Sequence, residues 1–364
     1  MFMRSKIVLS AAAMLLVALA ACGGEDGDSG SGSDVSLSDL ASNVGSDWEK
    51  TMTDGAKEEG TLTLYTPIGP DLIQPLLDKF TEETGIEVQL YSATADAVRQ
   101  RLEQEYKAKH YAADVVFGGD VLQQEILAAE DILQSYEVPS SSVYADALHA
   151  KDNTWYSAYQ ESFVGVYNTE SVSTPPTTYD DLLSPEWKGQ IGIEASDYPW
   201  YAMLLKEWGE DKGRDYFKQL EANEPKIVDG HTTLVTLAVS GEIPLALTVY
   251  SGRANEMMKE GAPIEFLKLD PAVVIYNGVA IPNQARHPHA ALLFADWVLS
   301  KHGQEQVASE MNYIPSHPDI ESDLKDEFAD IALPVDYDYL FKDAAKWQSE
   351  WQDNVVNHGV ATSG

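Results

Sequence analysis

Between Thr61 and Phe117, strand-forming and helix-forming runs alternate without a break, and nothing else in the 364 residues restricts the fold as much. TLTLY, Thr61 to Tyr65, is a β-rich run. Ile73, Leu76, Leu77 and Phe80 then follow the i, i+3, i+4, i+7 spacing of a helical stripe, which Gly85 ends. Pro75 is expected in the first turn of that helix or at a kink in it. IEVQL, Ile86 to Leu90, is a second strand. Thr94 to Lys107 is a charged helix, and ADVVF, Ala113 to Phe117, a third strand. Strands separated by helices make a parallel, doubly wound sheet, in which ligands meet the loops at the carboxyl ends of the strands. Those loops are 66–70, 92–96 and 118–120.

A second α/β block follows WYSAYQESFVGVYN, Trp155 to Asn168. QIGIE (Gln190 to Glu194), KIV (Lys226 to Val228) and PLALTVY (Pro244 to Tyr250) are its strands. Each leads through a loop into a helical run: ASDYPWY into AMLLKEW, then GHTTLVTLAV, then SGRANEMMKEG. After VVIYNGVAI, Val273 to Ile281, a helix carries Ala290, Leu293, Phe294, Trp297 and Val298 on one face, with Pro288 in its first turn and Gly303 at its end. The remainder, to about Asn354, is helical and acidic and holds Tyr337, Tyr339, Trp347 and Trp351. No internal repeat is visible. Two α/β blocks with facing strand ends enclose a cleft.

The first residues are of another kind. Arg4 and Lys6 precede an apolar run, Ile7 to Ala18, too short to span a bilayer comfortably and followed at once by polar sequence. This is a secretory signal, residues 1–21. Its end, Leu-Ala-Ala-Cys, resembles the bacterial lipobox, which implies that Cys22 becomes the lipidated first residue of the mature protein. Residues 22–59 are then a lipid-anchored flexible tether, Gly23 to Asp39, and a lead-in helix around Trp48 and Met52. Cys22 is the only cysteine, so the mature chain has no free thiol for nucleophilic, redox or thiolate-metal chemistry. The 24 Lys+Arg against 59 Asp+Glu give a net charge of −35, which repels nucleic acid and anionic headgroups. The mature length, roughly 340 residues, suffices for two cored domains.

LTLYTPIGPDLIQPLLDKFTEETGIEVQL, YAADVVFGGD, LLSPEWKGQIG, SGEIPLALTVY and HPHAALLFADWVLSKHGQEQ together resemble the solute-binding proteins of ABC importers. They are most similar to the ferric-ion-binding group and its relatives for thiamine, polyamines, phosphonates and sugar phosphates. The resemblance implies a type II periplasmic-binding fold. Lobe one would comprise residues 60–155 and 273–312, lobe two residues 156–272 and 313–358. The chain would cross between them near 155–167 and 273–281, with the ligand in the cleft. It further implies an extracytoplasmic, lipid-anchored monomer that delivers a small solute to ABC permease subunits, without cofactor, enzymatic activity or nucleic-acid partner. The residues agree on the last points: there is no G-x-S-x-G elbow, no H-E-x-x-H, no Walker-type loop, and no metal-ligand spacing among the eight histidines.

Ferric binders of this group present two adjacent tyrosines after the strand that follows a Gly-Glu-Ile turn, since phenolates suit a hard cation. In GEIPLALTVYSGRANEMMKEG that pair falls on Ser251 and Gly252, the histidine of the first loop on Gly69, and the carboxylate on Gly119, with Tyr250 and Asp120 each one place away. No metal ligand is assigned, and ferric iron is kept as the alternative to a polar or charged organic solute. The ligand-facing candidates are Thr66, Asp120, Asp197, Tyr198, His231, Tyr250, Arg253 and Tyr276, with Ser92, Thr94, Trp200, Thr232, Thr233, Ser251 and Asn277 beside them. The carboxylates and aromatic rings suit an amine or thiazolium cation. Arg253, His231 and the helix N-termini suit a phosphate or phosphonate. Each candidate also has an ordinary structural role: Asp197 as a helix cap, Trp200 as core, Arg253 in a surface ion pair, Tyr276 in hinge packing. The sign of the ligand's charge stays open.

Overall fold

The computed structural model describes residues 36–42 and 44–361. The signal-like run, Cys22 and the glycine-rich part of the tether lie outside them. No helix among the described residues is long and apolar enough to cross a membrane.

Helices α1 (Leu37–Ala41) and α2 (Trp48–Glu59) come first. Trp48, Met52 and Ala56, four apart, face one way and are buried with Leu37 and Leu40 among residues of the later helix Pro288–Leu299. The tether expected to reach Asp39 therefore stops short of α1, because Leu37 and Leu40 have apolar surface to bury and a core to bury it in.

Strand β1 (Thr61–Thr66), helix α3 (Pro70–Thr84), strand β2 (Glu87–Ser92), helix α4 (Ala95–Ala108), strand β3 (Val115–Asp120) and helix α5 (Val121–Ala129) follow the alternation. Pro75 neither opens nor breaks α3; the helix runs through it. An interior proline costs about 3 kcal/mol. The four buried stripe residues, Ile73, Leu76, Leu77 and Phe80, each return about 1.5–3 kcal/mol, so burial wins.

The long strand β4 (Trp155–Asn168) opens the second block. It continues with β5 (Ile191–Glu194), α6 (Tyr198–Trp208), α7 (Glu210–Leu220), β6 (Lys226–Val228), α8 (His231–Val239), β7 (Leu245–Tyr250), α9 (Ser251–Lys259) and β8 (Ile264–Leu267). Then come β9 (Ala272–Ala280), α10 (Pro288–Leu299), α11 (Lys301–Met311), β10 (Ile314–Pro315), α12 (Asp323–Phe328), β11 (Ala332–Pro334), α13 (Tyr337–Lys342), α14 (Ala344–Trp351) and β12 (Val360–Ala361). Gly303 does not end α10. Ser300 caps α11 by accepting from the Gly303 N–H, and a Cβ on Gly303 would lie 2.0 Å from the Trp297 carbonyl oxygen.

The strands form a twelve-stranded sheet in the order β12-β6-β5-β7-β4-β9-β3-β1-β2, with β8 and β10 also on β4 and β11 on β9. β1 pairs in parallel with β2 and β3, and β5 with β6 and β7. Between these parallel groups, β4 and β9 run antiparallel from Trp155↔Ala280 to Phe163↔Val273. The far half of β4 turns to β7, and the end of β9 pairs with β3. Two strands thus join the two parallel groups. Separate apolar cores flank them, one built on α2, α3 and α10, the other on α6, α7 and α14.

Candidate functional site

The strand ends of both parallel groups open on one cavity of about 840 Å³. β3 delivers Asp120, β5 delivers Glu194, β7 delivers Tyr250, the turn before α6 delivers Asp197, and the first residues of α6 and α8 deliver Tyr198, His231 and Thr232. From the crossing strand β4 come Tyr159, Glu161 and Phe163. Asn277 on β9, Tyr313 after α11 and Trp351 at the end of α14 complete the wall.

Five lining residues are acidic: Asp96, Asp120, Glu161, Glu194 and Asp197. Among the described residues, no lysine or arginine lines the cavity, and His231 is the one basic side chain there. Asp120, Glu161, Glu194 and Asp197 are each at most half-exposed carboxylates drawn from four different strand or turn positions, and the last three are buried. Burial pushes Asp120 up to about 6, against the pull of the Leu122 N–H and the Tyr337 hydroxyl. Burial pushes Glu161 up to about 8, partly offset by the Gly252 N–H. Asp197 is raised well above the carboxylate range by burial and then by the charge of Glu194. Burial, followed by the charges of Asp197, Glu161, Asp120 and Glu194, likewise holds Tyr250 in its neutral phenol form. One Asp197 oxygen, Oδ2, and one Glu161 oxygen, Oε1, are buried without a hydrogen-bond partner.

Three helix N-termini, natural seats for an anion, are taken by the protein's own carboxylates, whereas those of α3 at Gly69 and α6 at Asp197 carry no side-chain cap. Asp120 Oδ1 accepts from the Leu122 N–H at the start of α5, 2.9 Å away. Glu194 accepts from the Ser196 N–H at 2.6 Å and from the Gly230 N–H, before α8, at 3.1 Å. Glu161 receives the Gly252 N–H at the start of α9.

The structure brings Asp120, Asp197, Tyr198, His231 and Tyr250 together on the cavity wall, with Thr94, Thr232 and Asn277. Three candidates lie elsewhere. Thr66 is fully buried, and its hydroxyl accepts from the Ile68 N–H to close the loop after β1. Arg253 pairs with Glu256 on its own helix, one turn on. Tyr276 packs against Tyr337 within a core, since alternation along β9 sends it away from the cavity that Asn277 faces. Ser92 bonds the Ile68 carbonyl, Thr233 stays outside the wall, and Trp200 is core. Ser251 is spent inside the fold, accepting from the Ser162 N–H.

Glu161, Glu194 and the rings of Tyr159, Phe163, Tyr313 and Trp351 escaped the sequence reading. A glutamate in the otherwise uncharged WYSAYQESFVGVYN was a signal, because a buried unpaired charge is rare without a purpose. Glu194 was signalled as the last residue of its strand. The aromatic residues carried none, since their strands and helices are built from distant parts of the chain.

The register of the paired tyrosines is closed to them. A Cβ on Gly252 would lie 2.8 Å from Glu161 Oε1, 2.9 Å from the Tyr313 ring and 3.1 Å from the Asn312 carbonyl oxygen.

The model of the bacterial extracellular solute-binding proteins matches residues 76–335. The chain belongs to that family. As a solute-binding protein of an ABC importer, it binds a small molecule outside the cytoplasm and is not an enzyme. It is 26% identical to iron uptake protein A1 of Synechocystis sp. over 74% of this chain and 80% of that one. It is 23% identical to an Fe(3+)-binding periplasmic protein of Serratia marcescens over 69% of this chain and 77% of the relative. The periplasmic binding protein AfuA of Actinobacillus pleuropneumoniae, solved with fructose-6-phosphate, superposes with a TM-score of 0.70. That superposition covers 82% of this chain and 99% of AfuA at 23% identity, which establishes the type II periplasmic-binding fold for this solute-binding protein.

Proposed function

We propose that this solute-binding protein captures a small, positively charged solute in the cleft and hands it to its permease. The observation that carries this is the wall itself: among the described residues it has five carboxyl groups and no lysine or arginine. An anion entering there would meet carboxyl groups and no cationic side chain but His231, and the N-termini of α5, α8 and α9 already hold carboxylates. A cation would draw these buried acids into their ionised form and meet aromatic faces. The cavity volume, about 840 Å³, falls in the range of sites for organic ligands, which supports an organic cation such as an amine.

Lobe one is then residues 60–155 and 273–312, lobe two residues 156–272 and 313–358, and β4 and β9 are the hinge about which they close on the solute. Cys22 anchors the protein by lipid to the extracytoplasmic face of the membrane. Cys22→Ser is expected to release it from the membrane fraction; unchanged fractionation would count against the anchor.

Calorimetric titration with a linear diamine, a quaternary ammonium ion, inorganic phosphate and a sugar phosphate tests the charge. Binding confined to the cations supports the proposal. Binding of a phosphate, with no response to either cation, would overturn it.

Ferric iron is the alternative, favoured by the names of the iron-binding relatives. With Ser251 and Gly252 in the tyrosine register, ferric citrate is expected to give little visible absorbance. An intense band lost in Tyr250→Phe would establish iron instead.

A further inference from the structure

Glu194 and Asp197, three residues apart, and the distant His231 each offer a donor atom within 4.8 Å of the other two at one end of the cavity. We propose that these three side chains bind a divalent first-row transition-metal ion. The proposal rests on the cation-binding reading and narrows it.

The histidine supplies the first argument. Its Nδ1 lies 2.8 Å from the Thr248 carbonyl oxygen, which can only accept, so Nδ1 carries the hydrogen. Neutral His231 therefore presents the lone pair of Nε2, and Nε2 faces Asp197 Oδ1 at 3.4 Å. Two electron-pair donors at that distance repel each other, and a positive centre between them would turn the repulsion into attraction. A carbonyl behind the distal ring nitrogen is also the usual support of a metal-binding histidine. The ring cannot swing away. It stacks on Tyr250 at 3.7 Å between centroids, with Phe163 at 5.9 Å.

Asp197 supplies an independent argument. It is 2% exposed, and its Oδ2 has no hydrogen-bond partner although it lines the cavity. An orphaned buried carboxylate oxygen is costly unless something positive meets it, so its presence points to a ligand. Glu194, by contrast, is held in place by the Ser196 N–H and hydroxyl and by the Gly230 N–H, the arrangement of an oriented carboxylate ligand.

One imidazole nitrogen and two carboxylates form a borderline-to-hard donor set that suits Zn(II), Mn(II) or Co(II). Three protein donors leave coordination positions facing the cavity, for water or for a donor atom of the solute. The rival for the positive centre is a proton shared by Asp197 and His231.

Equilibrium dialysis of the full protein against Zn(II), with the metal counted by elemental mass spectrometry, separates the two. One equivalent is expected. His231→Gln and Asp197→Asn should each weaken binding by tenfold or more, and exposed His110→Gln should not change it. Absence of stoichiometric zinc, or equal affinity in His231→Gln, overturns the proposal in favour of the proton. If a variant misfolds, the wild type still decides. Bound Mn(II) should show nitrogen modulation from an imidazole in pulsed electron paramagnetic resonance, and a spectrum with oxygen ligands alone overturns the assignment. A protein that binds the diamine but no metal would retain the cation reading and lose this one; a protein that binds phosphate alone would lose both.

Discussion

Glu161 sits in the middle of β4 with one oxygen unpartnered, and its pKa is raised from 4.5 to about 8. A raised acid means that the folded state binds more protons than the unfolded one across that window. Its stabilising contribution is full below about 4.5 and is lost as pH rises through about 8. Asp120 acts in the same direction between 3.8 and about 6. The ligand-free protein is therefore expected to lose melting temperature between about pH 5 and about pH 8, and Glu161→Gln to melt higher than wild type at the upper end. Scanning calorimetry of both proteins checks this, and a gap that does not grow with pH would be the contrary result. A bound cation should pull these acids back toward ionisation, releasing protons and tightening with pH. At the same scale, Gly252→Ala should destabilise by about 1–3 kcal/mol, because the Asn312 carbonyl is backbone and cannot yield to the added Cβ; chemical denaturation measures it. The sequence showed Asp120, Asp197, Tyr198, His231 and Tyr250 because each ends a strand or opens the helix after it. It misplaced Arg253 and Tyr276, whose directions depend on helix rotation and strand alternation rather than on their nearness to a loop.

Individual elements explain what the wall can hold. The N-termini of α5, α8 and α9 each receive a carboxylate from the protein itself, so their dipoles are spent on Asp120, Glu194 and Glu161. This is how one cavity keeps several acids in place without a lysine or arginine. Alternating strand and helix runs were legible in the sequence to within a few residues. The double role of β4, paired with β9 along one half and with β7 along the other, was not, since pairing between distant strands leaves no local pattern. The same holds for α2, whose docking was set by α10 far along the chain. Trp48 is 3% exposed there. Trp48→Ala should cost about 3–5 kcal/mol of unfolding free energy, measurable in a urea titration. A loss under about 1 kcal/mol would mean that α2 adds little to the fold.

Across the whole molecule, an excess of acids gives a net charge of −35, and five acids among the described residues line the cleft. Such a field draws cations toward the opening. Closure about β4 and β9 would then bring Asp120 from one strand group against Glu194 and Asp197 from the other, which only a positive solute can offset. The small-molecule content of the protein, purified without denaturation and read by mass spectrometry, tests this most directly. The account predicts a positively charged species, an organic amine or a metal ion, in about one equivalent. A stoichiometric phosphate, phosphonate or sugar phosphate in its place would contradict it.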